Sequence, residues 1–190
     1  MQVGLYFGSF NPIHIGHLAI ANFVTEYSSI NQLWFVVSPH NPLKKKSSLL
    51  HDQFRLEMVQ AAIEGDSRFQ VCDIEFHMPK PSYTVDTLAY LSEKYPKHTF
   101  SLIMGSDSLR TFSRWKNSDE IMRKHKRIVF PRHGENMEYM QQHKNIEIVD
   151  APRFEISSSF IREAIKDKKD VRYFLHPEVF KIIDKQGFYL

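Results

Sequence analysis

Apolar residues fall along this chain in short blocks that alternate between unbroken runs and a helical repeat. Gln2 to Phe7 (QVGLYF) is a nearly continuous apolar run, which predicts a short buried strand. Asn11 and Pro12 follow. An Asn can cap a helix and a Pro is tolerated in its first turn, and from Ile15 apolar residues recur at Leu18, Ala19 and Phe23 with helical spacing. Leu33 to Ser38 (LWFVVS) predicts a second strand, and Pro39 to Ser48 a polar loop with two prolines and a lysine run. DQFRLEMVQAAIEG predicts a helix with Asp52 as its cap and Gly65 at its end. Phe69 to Ile74 reads as a strand, and His77 to Thr84 as a Pro-rich loop leading into a helix through Tyr95. Thr99 to Gly105 (TFSLIMG) is a strongly apolar strand. A Ser/Asp-rich turn, a helix near Ser118 to His125 and the strand Arg127 to Phe130 come next. Pro131 to Asn145 is polar, loop-like or partly helical, and IEIVD after it is a last strand. Two helices close the chain, near Ser157 to Lys168 and Pro177 to Gln186.

Strands alternating with helices predict an α/β fold with a mainly parallel sheet. The chain shows no repeat, low-complexity tract or linker, so residues 1–190 are expected to form one domain, with 153–190 as a C-terminal helical part. Parallel α/β sheets bind ligands beyond the C-terminal ends of their strands. The loops after Phe7, Ser38, Gly105 and Val149 belong to that edge, and they carry the unusual chemistry.

Composition narrows the class. With 42% hydrophobic and 25% charged residues the chain has an ordinary soluble globular balance. Its single cysteine, Cys72, excludes an internal disulfide and a Cys-based zinc cluster within one chain, and fits a reducing compartment. A formal net charge of +3 is too small to argue for nucleic-acid binding. No apolar run approaches the roughly 18 residues of a membrane span, and the start lacks the basic segment of a secretory leader. A cytoplasmic protein with no nucleic-acid or membrane partner is expected. A homo-oligomer is compatible with the sequence, which does not fix the oligomeric state.

The stretch GSFNPIHIGH, Gly8 to His17, raises three readings: a metal site, an anion site, or a helix start that contains histidines. In a helix beginning within Pro12 to Ile15, His14 and His17 share one face of the first turn. Helix N-termini present unpaired N–H groups and the positive end of the dipole, which attract phosphate, and two imidazoles add donors. Gly8 lets the backbone approach a ligand, and Gly16 removes a side chain between the two histidines, leaving room for a bulky ligand. A metal site needs at least a third ligand, and none is near in sequence. Far away, ISSSFIRE (Ile156 to Glu163) supplies a second candidate anion site. Ser157 to Ser159 can cap a helix and offer hydroxyl and N–H groups, and Arg162 can bind phosphate bidentately.

These two stretches resemble the T/H-x-G-H and I-S-S-T-x-I-R signatures of the nucleotidyltransferase α/β phosphodiesterase superfamily. The intervening SPHNPLK, SYTVDTL and MGSDSLRTFSRWKN and the final HPEVFKIIDKQGFY resemble, in order and over nearly the whole chain, the bacterial nicotinate-nucleotide adenylyltransferases. The resemblance implies a Rossmann-like, doubly wound domain that joins nicotinate mononucleotide to the AMP part of ATP, giving deamido-NAD and pyrophosphate. Acceptance of nicotinamide mononucleotide or phosphopantetheine, and a non-catalytic nucleotide-binding regulator, are the alternatives.

It also implies residue roles. Gly8, Ser9 and Phe10 border the nucleotide; His14 and His17 hold ATP phosphates; Gly105 and Asp107 lie at the ribose. Ser157, Ser158 and Arg162 meet the triphosphate, and His14, His17 and Arg162 carry the catalysis. Asn41 and Lys44 face phosphate on the acceptor side, Lys45 and Lys46 remain solvated, and Tyr83, Thr84 and Trp115 surround the nicotinate ring. Mg²⁺ accompanies ATP, with no metal held by a ligand set of the protein's own. The chain departs from the family's usual G-G-T-F-D-P opening with Phe7-Gly8-Ser9-Phe10-Asn11-Pro12. Ser for Thr keeps the hydroxyl, and Asn for Asp is expected to keep the helix cap.

Overall fold

The apolar run at the start of the chain becomes the central strand of a parallel sheet. The computed structural model describes residues 1–39, 49–132 and 145–190. Its strands are β1 (Gln2–Gly8), β2 (Gln32–Val37), β3 (Phe69–Cys72), β4 (Thr99–Gly105), β5 (Arg127–Phe130) and β6 (Ile146–Ile148). Among the described residues they form one sheet in the order β3-β2-β1-β4-β5-β6, with every neighbouring pair parallel. The helices are α1 (Ile15–Tyr27), α2 (Asp52–Ile63), α3 (Thr84–Lys94), α4 (Ser106–Thr111), α5 (Ser118–Lys124), α6 (Ser158–Lys166) and α7 (Pro177–Gln186). This is the Rossmann-like, doubly wound arrangement expected, and none of these helices is long and apolar enough to cross a membrane.

Strand side chains alternate between two cores. Tyr6, Phe35 and Ile128 face one side with Val24 of α1, Met58 of α2, Ile161 of α6 and Val179 of α7. Leu5, Trp34 and Leu102 face the other with Leu88 of α3 and Ile121 of α5. Burial on both faces explains why these strands read as continuous apolar runs and not as alternating ones. The last two helices belong to the first core: α7 packs on α2, and Phe188 beyond it meets Phe54 with ring centroids 4.9 Å apart.

Several local expectations are corrected. Asn11 does not cap α1. The helix starts at Ile15 with His14 at the cap position, and the Asn11 side chain is used elsewhere. Asp52 does not cap α2; His51 Nδ1 accepts from the Gln53 N–H at 3.4 Å, and Asp52 pairs with Arg55. The third strand stops at Cys72, and Ile74–His77 is a 3₁₀ turn. The segment after Gly105 is helix α4 followed by a 3₁₀ turn at Phe112–Arg114, not a simple turn. Helix α3 ends at Lys94, and α6 spans Ser158–Lys166. Most of the two polar segments, Pro39 to Ser48 and Pro131 to Asn145, lies outside the described residues.

Candidate active site

Strand order reverses between β1 and β4, and the crevice of a doubly wound sheet opens at such a switch point, beyond the strands' C-terminal ends. A cavity of about 630 Å³ lies there. It is lined by Gly8, Ser9, Phe10, His14, His17, Tyr83, Thr84, Gly105, Asp107, Trp115, Ser157, Ser158 and Arg162. The structure thus gathers these sequence-selected residues from distant segments into one wall. Asn41 and Lys44 lie outside the described residues.

The turn after β1 is built by burial and by one arginine. Phe10 takes a left-handed backbone (φ 44°), and its ring lies over Gly8, where an added Cβ would come within 2.6 Å of it. The space a side chain at position 8 would need is therefore filled by the Phe10 ring, while Gly8 itself lines the cavity. Phe10 is buried edge-on against Tyr6, His17 and Phe35, so only its backbone is available to border the cavity. The fully buried Arg55 donates to the carbonyls of Ser9, Ser38 (2.9 Å) and Leu50 (2.9 Å), and bonds Asp52. One guanidinium thus ties the loops after β1 and β2 to the start of α2.

Asn11 is the next anchor. Its Oδ1 accepts from the Leu50 N–H at 3.2 Å and from the Tyr189 hydroxyl at 2.9 Å. Its carbonyl accepts from Arg162 at 2.8 Å, and the Ser158 hydroxyl donates to the Pro12 carbonyl at 2.9 Å. The two distant motifs are therefore bonded directly to each other. The Ser157 hydroxyl accepts from the Phe160 N–H at 3.1 Å and caps α6 as its composition predicted.

His14 and His17 stack with ring centroids 3.7 Å apart at 30°. His17 Nδ1 accepts from the His14 N–H at 3.3 Å. His14 is 4% exposed, and its own Nδ1 is buried without a hydrogen-bond partner among the described residues. Burial, reinforced by the nearby Arg132 charge, lowers its pKa to about 4, so this imidazole is neutral near pH 7. A Cβ on Gly16 would lie 3.0 Å from His14 Nδ1, so this glycine makes room for the His14 ring itself and not for a ligand between the histidines. Among the described residues no group of three or more His, Cys, Asp or Glu is placed to hold a metal.

Across the crevice, Gly105 ends β4 and Asp107 lies in the first turn of α4. An added Cβ at Gly105 would clash with Asp107 Oδ1, so the glycine keeps the space that the carboxylate uses. Arg132 follows β5; its N–H donates to Ser106 Oγ at 2.8 Å, and its Nε lies 3.7 Å from Asp107. At the far end Tyr83 caps α3 and Thr84 begins it. Lys116 Nζ lies 4.5 Å from the centre of the Tyr83 ring and 2.9 Å from Asp86. The half-buried Trp115 packs on Phe112, and its Nε1 is buried without a partner among the described residues. Histidine, serine and arginine side chains of the two motifs and the aromatic rings of Tyr83 and Trp115 therefore line one cavity.

Sequence reading missed Arg132, Tyr6, Glu75, Arg55 and Tyr189, all of which line or brace the cavity. An arginine just past the end of RIVF was the one local signal for Arg132. Tyr6, whose pKa burial raises to about 12, looks like any core aromatic in sequence.

A family profile described as Cytidylyltransferase-like matches residues 5–164. A Flavobacterium johnsoniae protein named "Probable nicotinate-nucleotide adenylyltransferase" is 52% identical, with 100% of this chain and 99% of the relative covered. A Bacteroides fragilis protein of the same name is 50% identical over 97% of this chain and 92% of its own. Among solved structures, Plasmodium falciparum nicotinic acid mononucleotide adenylyltransferase complexed with NaAD superposes with a TM-score of 0.84 at 22% identity, covering 99% of this chain and 97% of that one. At that identity the likeness establishes the fold.

Proposed function

This chain belongs to the cytidylyltransferase-like family, and on that premise we propose that it transfers AMP from ATP to nicotinate mononucleotide, giving deamido-NAD and pyrophosphate. The observation that supports this reading is one cavity at the switch point of the sheet, lined both by His14, His17, Ser157 and Arg162 of the two motifs and by Tyr83, Thr84 and Trp115. Identities of 52% and 50%, over nearly the full length of relatives named for the same reaction, support the choice of acceptor.

In this reading the triphosphate lies between the two motifs. The backbone of Gly8, Ser9 and Phe10 borders the nucleotide. His14 and His17 donate to phosphate oxygens; being neutral, His14 contributes a hydrogen bond and not a full charge. Ser157, Ser158 and Arg162 meet the triphosphate. The Ser158 hydroxyl already serves Pro12, so the N–H groups opening α6 are the donors it leaves available. Asp107 accepts from the ribose hydroxyls beside Gly105. Trp115 offers a flat face to the pyridine ring, and the amides that open α3 at Tyr83 and Thr84 receive its carboxylate. Asn41 and Lys44 approach the acceptor phosphate.

A phosphate oxygen of nicotinate mononucleotide attacks the α-phosphorus of ATP in line, the bond to the bridging oxygen breaks, and pyrophosphate leaves with that electron pair. The substrate phosphate is itself the nucleophile, so the protein contributes positioning and charge stabilisation. Mg²⁺ accompanies ATP as part of the substrate in this reading. Residues 1–190 act as one catalytic unit, the C-terminal helical part supplying Arg162 and Tyr189 to the site.

The test is pyrophosphate release from ATP and Mg²⁺ with nicotinate mononucleotide, nicotinamide mononucleotide or phosphopantetheine supplied separately. Strong preference for the nicotinate acceptor is expected. Equal release with both pyridine nucleotides would overturn the carboxylate selectivity. Folded, ATP-binding protein that releases nothing with any acceptor would be a regulator.

A further inference from the structure

Glu75 is a buried carboxylate, 2% exposed, on the wall of the cavity, and the transfer chemistry does not use it. It lies in the 3₁₀ turn after β3 and reaches both sides of the start of α3. Its Oε2 accepts from the Ser82 hydroxyl at 3.0 Å, just before the helix, and its Oε1 accepts from the Thr87 hydroxyl at 2.8 Å, inside the first turns. Between these two points lie Tyr83 and Thr84, which line the cavity. Burying a carboxylate is expensive unless hydrogen bonds compensate it, so the fold has retained a group whose local use is to grip this helix end.

The partners matter as much as the grip. Both hydroxyls come from side chains, whereas a carboxylate at a helix start commonly takes the helix N–H groups. The first intrahelical bonds of α3 run from Asp86 and Thr87 to the Tyr83 carbonyl, at 3.0 and 3.1 Å. Helix geometry leaves the N–H groups of Tyr83 and Thr84, like that of Val85, ahead of those bonds without intrahelical acceptors. Glu75 thus fixes the helix end from its flanks, through hydroxyls, and leaves these amides to an anion.

We propose that Glu75 is a positioning residue for the acceptor: by holding Ser82 and Thr87 it sets the α3 amides that receive the pyridine carboxylate, and so governs affinity for the acceptor nucleotide and not for ATP. The inference rests on the acceptor reading given above. A neutral amide can replace the carboxylate. In the Glu75→Gln variant the side-chain oxygen would accept from Ser82, and the side-chain nitrogen would donate to Thr87 Oγ1. The Thr87 proton can then turn to the Tyr83 carbonyl, already 3.3 Å away. An alanine offers neither group.

The experiment is steady-state kinetics of wild type, Glu75→Gln, Glu75→Ala and Thr87→Val, with each nucleotide varied at saturating concentration of the other, alongside thermal melts. Wild-type turnover with nicotinate mononucleotide tests the acceptor reading on its own; the variants test Glu75. Glu75→Ala is expected to raise the acceptor KM about tenfold, the equivalent of one or two lost hydrogen bonds, with the ATP KM within about twofold. Glu75→Gln should stay within about threefold of wild type, and Thr87→Val should shift the acceptor KM in the same direction as alanine. If Glu75→Ala does not fold, Thr87→Val and Glu75→Gln carry the test. An equal rise in both KM values, a glutamine variant as impaired as alanine, or lowered melting temperatures with unchanged kinetics would each overturn the proposal.

Discussion

The imidazoles of His14 and His17 stand face to face, 3.7 Å apart, with His14 buried at the cap of α1 and its Nδ1 unpartnered among the described residues. A buried polar atom in that state is rare in a finished core and suits a site completed by ligand. Replacing His17 with Ala should lower kcat by about 10²–10³, the usual loss for one preorganised donor to developing charge. Turnover within a few-fold of wild type would remove His17 from the chemistry.

His14 also makes stability depend on pH. Its folded pKa is about 4, below the ordinary 6.5, so between these values the unfolded chain binds a proton that the folded chain refuses. Its burial is tolerated in full above pH 6.5, and stability is lost as pH falls through that window, by about 2 kcal/mol at pH 5. Urea midpoints should therefore fall more for wild type than for His14→Asn when the pH is lowered from about 7 to about 5. Equal falls would mean that His14 titrates normally in the folded protein.

Gly16→Ala separates stability from activity. Alanine is the better helix former by up to about 1 kcal/mol, yet its Cβ would press on the His14 ring at 3.0–3.1 Å. The expected result is a melting temperature near or above that of wild type with kcat down by about tenfold or more, since a small misplacement of a positioning group carries a large rate penalty. Full activity in the variant would show that His14 has room to move without consequence.

Arg55→Met removes the donor shared by the Ser9, Ser38 and Leu50 carbonyls. Leaving such buried acceptors unpaired should destabilise the protein by about 3 kcal/mol or more, read as a lowered urea midpoint at constant slope. Asp52→Asn keeps those bonds and should lose about 1 kcal/mol.

Tyr189→Phe deletes the hydroxyl that donates to Asn11, while the Leu50 N–H continues to serve the same oxygen. A loss of about 1 kcal/mol is expected, the ordinary net value of one hydrogen bond, and calorimetry would measure it. A much larger loss would mean that the C-terminal residues hold the turn after β1 cooperatively.

Periodicity alone determined the β/α alternation, the parallel sheet and the edge on which ligands bind, because strands buried on both faces write themselves as apolar runs such as LIM in β4. The spacing of His14 to His17 and the block Ser157 to Arg162 were equally legible, since a helix start needs only local residues to declare itself. Three-dimensional packing decided the rest. Asn11 and Asp52 are sound caps by composition, but other partners claimed their side chains: the distant Tyr189 and Leu50 for Asn11, and for Asp52 the buried Arg55 one turn on in the same helix. Gly8 and Gly16 make room for the rings of Phe10 and His14, neighbours whose orientation only the folded core fixes. Arg162 meets Asn11, and Glu75 meets Ser82 and Thr87, through hydrogen bonds whose geometry no spacing encodes. The neutrality of His14 is likewise a property of its burial beside Arg132 and of nothing in its own sequence neighbourhood.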